Sequence, residues 1–363
     1  MRIVHVSDCY RPRMGGIELH LGDLVEHQRA AGDDARIVTS TPAGELVDDP
    51  WVHRLDSLWD LRRVLDDLAP DIVHVHVSVL SPLATLAARR AASTGVPTLV
   101  TVHSMWSRLG PLPATANLLL RLRGWPITWS AVSSAAAAPL RTMLGPDVPV
   151  RVLPNAIDAD RWQGRCAPDG AVPTVVSVMR MTHTKRTLPL ARILLDVRRQ
   201  LPADRPLRAL VVGDGPQRAA LERFVRRHDM TDWVELPGRL DRSEIRRELA
   251  RSSVYLAPAE LESFGIAALE ARTAGLPVVA SSHSGVTEFV THLREGLLGE
   301  TDAALAAHVT RLLADDALRT TIARHNATTR TRHDWAAVLR RTQDLYLEAA
   351  SARVPRLTLV GST

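Results

Sequence analysis

Two glutamates eight positions apart, Glu262 and Glu270, frame the stretch of this chain best suited to chemistry. The run Ser253-Val-Tyr-Leu-Ala257 ahead of them reads as a buried strand. Ile266 to Ala274 carries good helix formers and stops at Gly275. Glu262 therefore stands where a strand hands over to a helix, with Ser263, Phe264 and Gly265 opening that helix. Serine is a good N-cap, and glycine lets backbone come close to a ligand. The N–H groups of a helix start, with the positive end of its dipole, suit a phosphate. Glu270 lies about two turns further on, too far to cap that end, so it faces core, solvent or a ligand hydroxyl. Lys185 is the single lysine among 44 arginines. With Arg180 it follows the apolar run Thr174–Met179 and precedes a helical pattern from Leu188 to Arg199. Guanidinium grips phosphate through two bonds, whereas ammonium is a compact point charge. A lysine kept against so arginine-rich a background suggests a position where guanidinium does not fit; the alternative is a solvated loop. His103 ends the run Gly95–His103, and the carboxyl end of a parallel strand is where open α/β sheets present ligand contacts.

These residues need a scaffold of alternating strands and helices, and the pattern occurs twice. Arg2–Ser7 reads as a first strand, followed by a loop with Gly15-Gly16 and a helical pattern to Gly32. That loop lacks G-x-G-x-x-G, so the dinucleotide fingerprint is absent, and the paired glycines make either a tight turn or a close backbone approach. Ala35–Ser40 is a second strand, Leu55–Leu68 an amphipathic helix, and Pro70–Val77 a third strand with His74 and His76 on one face. A same-face histidine pair can ligate metal, but no third ligand is near in sequence, so core or acceptor-cleft roles are favoured and no metal is expected. The second series runs through Thr174–Met179, then Leu207–Val212 ending in Gly213-Asp-Gly-Pro216, then Trp233–Leu240 and Leu276–Ala280. Trp335–Ala350 reads as a last helix. The expected organisation is a domain over 1–160, a linker to 172, a domain over 173–330, a returning segment 331–350 and a tail 351–363. Asp158-Ala-Asp160, the chain's one D-x-D, falls at the linker and is discounted as a metal site.

Composition narrows the class. A chain of 363 residues can build two cores, and 45% hydrophobic content is ordinary. The first 151 residues balance 15 arginines against 15 acidic residues, so the net charge of +5 lies in the later part. No basic run interleaved with aromatics suggests nucleic acid. Two cysteines, Cys9 and Cys166, point to a reducing compartment. The apolar run at the N-terminus is too short for a signal peptide, and no stretch approaches a membrane span, so a cytoplasmic location is expected. Leu118–Trp129 mixes apolar residues, arginines and two tryptophans; a helix leading into a strand is preferred there to a membrane-touching surface.

E-x7-E with Ser-Phe-Gly after the first glutamate resembles the donor-sugar motif of retaining, nucleotide-sugar-dependent glycosyltransferases of family 4, which have the GT-B fold. The resemblance extends from Arg2 to about Tyr346. It implies an α/β fold of two Rossmann-like domains facing a cleft, with the C-terminal helix packing back on the first. It implies that Arg180 and Lys185 resemble the family's Arg-x4-Lys cations on the donor diphosphate, which the Ser263–Gly265 amides also serve. Glu262 would then bind the donor sugar, Glu270 the ribose, and His103 the sugar beside the reacting carbon. Gly15 and Gly16 would lie against the diphosphate and acceptor, and Gly213 resembles the family's G-x-G-P step. The backbone near Arg239 and Leu240 would meet the base. Pro154-Asn-Ala-Ile-Asp158 resembles the interdomain segment, with Ala156 where glycine is usual. The implied function is hexosyl transfer from a nucleoside-diphosphate sugar, with UDP or GDP favoured as a co-substrate and no resident cofactor. The acceptor would be a small molecule, a glycan or a lipid-linked sugar. Rival readings are an epimerase or phosphorylase of similar fold, or a non-catalytic nucleotide-sugar-binding subunit.

Overall fold

The computed structural model describes residues 1–351 apart from 14, 46, 107–116, 118–120 and 165–171. Cys166, most of the expected linker, the start of the arginine–tryptophan stretch and the expected tail beyond Ser351 lie outside the described residues. The chain divides into two units, one formed by Met1–Asn155 with the final helix and the other by Ala156–Asp334.

Unit 1 is built on seven parallel strands: β1 (Arg2–Ser7), β2 (Asp34–Thr39), β3 (Val52–Arg54), β4 (Ile72–Val77), β5 (Thr98–Val102), β6 (Thr128–Ala131) and β7 (Val150–Val152), in the order β3-β2-β1-β4-β5-β6-β7. Helices α1 (Gly16–Ala30), α2 (Asp60–Leu68), α3 (Pro82–Thr94) and α4 (Ser134–Leu144) make the crossovers. Parallel sheets covered on both faces call for near-continuous apolar strands. β1, β4 and β5 are buried along all but one residue at most, and their polar residues His5, His74, His76 and Thr101 are hydrogen-bonded inside the unit. β3 is a half-buried edge strand of three residues with no alternation, and the sequence pattern did not mark it. The helix expected from Leu55 begins at Asp60, because Leu55 N–H bonds Thr39 O at 2.8 Å and so continues the line of β3, and a turn follows in which Trp59 N–H bonds the Ser57 hydroxyl. α4 is capped by Ser133, whose Oγ accepts from Ala136 N–H at 3.0 Å.

Unit 2 holds α5 (Ala159–Trp162), β8 (Thr174–Val178), α6 (Thr187–Gln200), β9 (Arg208–Val212), α7 (Arg218–Arg227), β10 (Val234–Gly238), α8 (Arg242–Arg251), β11 (Val254–Ala257), α9 (Ile266–Thr273), β12 (Val278–Ser281), β13 (Gly296–Gly299), α10 (Asp302–Ala314) and α11 (Asp316–Thr328). Its parallel sheet has the order β10-β9-β8-β11-β12-β13. Leu190, Ile193, Leu194 and Val197 of α6 pack with Val175, Ala209 and Leu256 of the sheet. Residues 156–160, counted above with the first domain, fall within unit 2, because α5 packs on α9 and Asp160 pairs with Arg330 at 2.7 Å.

The final helix, α12 (Trp335–Ser351), packs on unit 1. Trp335 stacks on His27 at 4.4 Å and on His20 at 5.2 Å between ring centroids. Arg151 holds Glu348 through two bonds near 3.0 Å, and the buried Tyr346 hydroxyl bonds His74 Nδ1 at 2.9 Å.

In both sheets the strand order reverses beside the first strand, between β1 and β4 and between β8 and β11. Doubly wound sheets bind ligands at such switch points, beyond the carboxyl ends of the strands.

Candidate functional site

The loops after β8 and β11 flank the switch point of unit 2, and each supplies a charged side chain. Lys185 Nζ donates to Glu262 Oε2 at 2.5 Å, joining positions 77 residues apart. Both side chains are only partly exposed, 31% and 19%, so the pair is neither a solvated surface contact nor a sealed core pair. The loop holding the lysine is fixed locally: Thr182 Oγ1 accepts from Lys185 N–H at 3.3 Å, and the Thr187 hydroxyl donates to Thr182 O at 3.1 Å. The next residue, Arg186, ties this loop to the neighbouring one. Its guanidinium donates to Asp302 (2.8 and 3.1 Å) and to the Pro258 carbonyl (3.1 Å), and pairs with Glu260. Sequence reasoning missed Arg186, since nothing distinguishes it among so many arginines. Arg180 is exposed and has no ion-pair partner among the described residues.

Glycines shape the surrounding loops. Gly213 has φ +125°, and a Cβ there would sit 1.9 Å from the Met179 carbonyl oxygen. Its N–H also bonds Gly238 O at 2.7 Å. Gly213 is thus demanded by backbone packing between the ends of β8 and β9, whatever it does for a ligand. Gly213→Ala should cost at least about 2 kcal/mol, read as a lowered urea midpoint. An unchanged midpoint would contradict this packing.

Helix α9 opens differently from the sequence expectation. Gly265, at φ +92° and ψ +57°, is the N-cap, and no side chain caps the helix; the Ser263 hydroxyl does not do so. A Cβ on Gly265 would press on Val286 at 2.8 Å. The tight approach of Gly285, whose N–H bonds Glu262 O at 2.7 Å, draws the loop inward and leaves glycine at the cap. Phe264 is a core residue whose ring packs on Phe289 and His333, so only its backbone could serve a ligand. Glu270 is half-buried in α9, while Arg239 is exposed and Leu240 half-buried after β10.

In unit 1, Gly15 is the N-cap of α1 and Gly16 its first residue, again without a side-chain cap. Gly15 is extended at φ −167°, so conformation does not require glycine there; a Cβ would meet Glu18 Oε2 at 2.4 Å. Glu18 is buried and pairs with Arg13 at 3.4 Å. Beyond the end of β5, His103 N–H bonds Val77 O at 2.8 Å and its ring is buried. Burial pushes its imidazole down to about 3, with the nearby His20 acting in the same direction. Trp106 donates from Nε1 to Ser78 O at 3.3 Å.

The third metal-ligating candidate that sequence spacing did not offer is His5, which β1–β4 pairing sets opposite His74. Ligand atoms of His5, His74 and His76 lie within 4.8 Å of one another. All six ring nitrogens already hold protein hydrogen bonds, so a cation would have to displace them. The D-x-D carboxylates are likewise engaged: Asp158 caps α5 by accepting from Arg161 N–H, and Asp160 binds Arg330.

Comparison with known proteins finds the family model "Glycosyl transferases group 1" matching residues 159–331 and "Glycosyltransferase Family 4" matching residues 14–161. A 2-deoxystreptamine glucosyltransferase of Streptomyces kanamyceticus is 30% identical over 274 residues, 68% of this chain and 69% of that protein. The chain belongs to glycosyltransferase family 4. A GDP-mannose-dependent alpha-(1-6)-phosphatidylinositol monomannoside mannosyltransferase of Mycobacterium tuberculosis is 27% identical over 359 residues, covering 86% of this chain and 89% of that one. Among solved structures, sucrose-phosphate synthase from Thermosynechococcus elongatus superposes with a TM-score of 0.78 at 19% identity, over 96% of this chain and 99% of that one. Anabaena Alr3699/HepE in complex with UDP and glucose gives 0.76 at 18%, over 95% and 99%. Two parallel sheets of seven and six strands, with these likenesses, make the fold GT-B and the chain a glycosyltransferase. No helix among the described residues is long and apolar enough to cross a membrane.

Proposed function

We propose that this glycosyltransferase moves a hexosyl group from a nucleoside-diphosphate sugar to an acceptor hydroxyl, retaining configuration at the anomeric carbon and needing no metal ion. The observation that supports it most is the Lys185–Glu262 pair at the switch point of unit 2. It sets a phosphate-binding charge and an acceptor for sugar hydroxyls within one hydrogen bond of each other. Arg180, Lys185 and the uncapped start of α9, with the Ser263–Gly265 backbone, take the diphosphate, where negative charge grows as its bond to the sugar breaks. Glu262 binds the sugar and Glu270 the ribose, with the base against the backbone at Arg239 and Leu240. Gly15 and Gly16 bring backbone toward the diphosphate, and His103 contacts the sugar. The acceptor oxygen bonds the anomeric carbon on the face the diphosphate leaves, and its proton passes to the departing phosphate oxygen. No protein nucleophile takes part.

The Anabaena protein was solved with UDP and the mycobacterial relative depends on GDP-mannose. UDP or GDP is therefore the proposed carrier here, with a small molecule, glycan or lipid-linked sugar as acceptor, no nucleic acid partner, and a cytoplasmic setting. Thermal unfolding with UDP, GDP, ADP and TDP tests the donor first. Ligand at about a hundred times its dissociation constant adds roughly 2.7 kcal/mol, a rise of roughly 5 °C. One nucleotide should give that rise, and no rise with any would sink the donor assignment. Transfer should continue at the same rate after exhaustive dialysis against EDTA, and NMR of the product should show the donor's anomeric configuration. Loss of activity restored by a divalent cation would overturn the metal-free mechanism.

A further inference from the structure

Unit 1 contains a continuous run of buried side-chain hydrogen bonds that starts at a backbone carbonyl and ends on His103. Ser130 Oγ donates to Val100 O at 3.0 Å and lies 2.8 Å from Thr101 Oγ1, which lies 2.8 Å from His74 Nε2. His74 Nδ1 meets the Tyr346 hydroxyl at 2.9 Å, and Gln28 Nε2 donates to that hydroxyl at 3.0 Å. Gln28 Oε1 meets His5 Nε2 at 2.7 Å, His5 Nδ1 meets His76 Nε2 at 3.0 Å, and His76 Nδ1 meets His103 Nε2 at 2.9 Å. All eight side chains are buried.

The direction of every proton follows from one end. A carbonyl oxygen can only accept, so the single Ser130 hydroxyl proton is spent on Val100 O. The Thr101 hydroxyl must then donate to Ser130, and Thr101 must accept from His74 Nε2–H. A neutral imidazole with its proton on one nitrogen accepts on the other, so the Tyr346 hydroxyl donates to His74 Nδ1 and itself accepts from the Gln28 amide. Gln28 thereby turns its oxygen to His5, which must carry its proton on Nε2 and accept on Nδ1. His76 repeats that pattern, and so does His103. Reversing the run would strip Val100 O of the Ser130 proton and require every ring to change tautomer together. The rings are buried and close, which disfavours the doubly protonated form that would break the directionality.

We propose that this relay is a positioning device that locks His103 as its neutral Nε2–H tautomer and leaves Nδ1 as the ring's acceptor, with Tyr346 of the returning helix as its connecting residue. Its consequence for catalysis rests on the assignment of His103 to the transfer site: a ligand hydroxyl at Nδ1 must donate, which fixes the direction of one bond to the sugar. His5, His76, His74, Gln28, Thr101 and Tyr346 are then positioning residues, acting on the site only through His103.

Nitrogen-15 NMR of the imidazoles in the full chain at neutral pH reads each tautomer without any substrate. The expected spectrum assigns His103 an Nε2–H form; an Nδ1–H form overturns the relay. Thr101→Val is nearly isosteric but removes the acceptor for His74 Nε2–H. A buried donor without a partner costs enough to shift a tautomer population on the order of tenfold or more, so the run should invert and move His103 to Nδ1–H. Thr101→Ser should restore the wild-type tautomer. If Thr101→Val does not fold, Tyr346→Phe replaces it, freeing the Gln28 amide to turn and giving His103 a mixture of both forms. An unaltered His103 in the folded variant overturns the relay. An inverted His103 with unchanged transfer rate upholds the relay and removes His103 from the transfer site.

Discussion

Lys185→Met should lower kcat/KM for transfer on the order of a hundredfold to a thousandfold, the loss typical when one preorganised donor to a developing negative charge is removed. Fold and melting temperature should change little, because the Lys185–Glu262 pair is partly solvated and such pairs add about 1 kcal/mol or less. Lys185→Arg is the more telling variant. It keeps the charge but replaces a compact ammonium, set 2.5 Å from the Glu262 carboxylate, with a planar fork that cannot occupy the same point. Its activity should stay nearer Lys185→Met than wild type. Glu262→Ala should fall as steeply, because it removes the acceptor proposed for the sugar hydroxyls. Steady-state kinetics with the donor identified by thermal shift, alongside circular dichroism, checks all three. Activity within about threefold of wild type in Lys185→Met would remove this lysine from the diphosphate site.

The parts of the fold that could be read from the sequence are those where one physical demand dominates. β1, β4, β5 and β8 stand in sheets covered on both faces, so each is a valine-rich run buried along all but one residue at most. β3 does not, since a three-residue edge strand buries too little to leave a pattern. The strand-to-helix setting of Glu262 was legible, and Lys185 stood out by its rarity. Their pairing was not, because 77 residues separate them and only the strand order of unit 2 brings the loops after β8 and β11 together. The helix start at α9 was misread at Ser263 because residue type favours serine as a cap, while the cap is placed by Gly285 pressing on the Ser263–Phe264 backbone. Period-2 spacing set His74 and His76 on one face, but His5 joins them through β1–β4 register and His103 through a ring 27 residues away. Tyr346 enters that network from 272 residues beyond His74, with no local signal in the sequence.

The same histidines should make unit 1 acid-labile well above the pH at which carboxylates protonate. His5, His20, His74, His76 and His103 are all buried, and loss of solvation is the first cause of lowered proton affinity at each. His5 is pushed down to about 4, His20 and His103 to about 3, and His74 and His76 well below the ordinary histidine value near 6.5. Above 6.5 these rings are neutral in folded and unfolded chains alike, so nothing is lost. Below it the unfolded chain binds a proton at each ring while the folded chain does not, and stability drops as pH falls from 6.5 toward about 4. Each ring contributes up to about 1.4 kcal/mol per pH unit, so five together approach about 7 kcal/mol per unit, comparable with the whole stability of a domain. Urea unfolding followed between pH 7.5 and 5 should report uptake of about four to five protons near pH 5.5. Tryptophan emission is a suitable probe, since of the eight tryptophans Trp162 and Trp233 alone lie in unit 2. His20 provides the control. Its Nδ1 is buried with no hydrogen-bond partner among the described residues, and its ring stacks on Trp335 outside the relay. His20→Phe should keep the stack, remove about one proton from the slope and leave the protein more stable at pH 5.5 than wild type. A flat pH dependence in wild type, or an unchanged slope in His20→Phe, would mean that these rings are reached by water and protonated without unfolding.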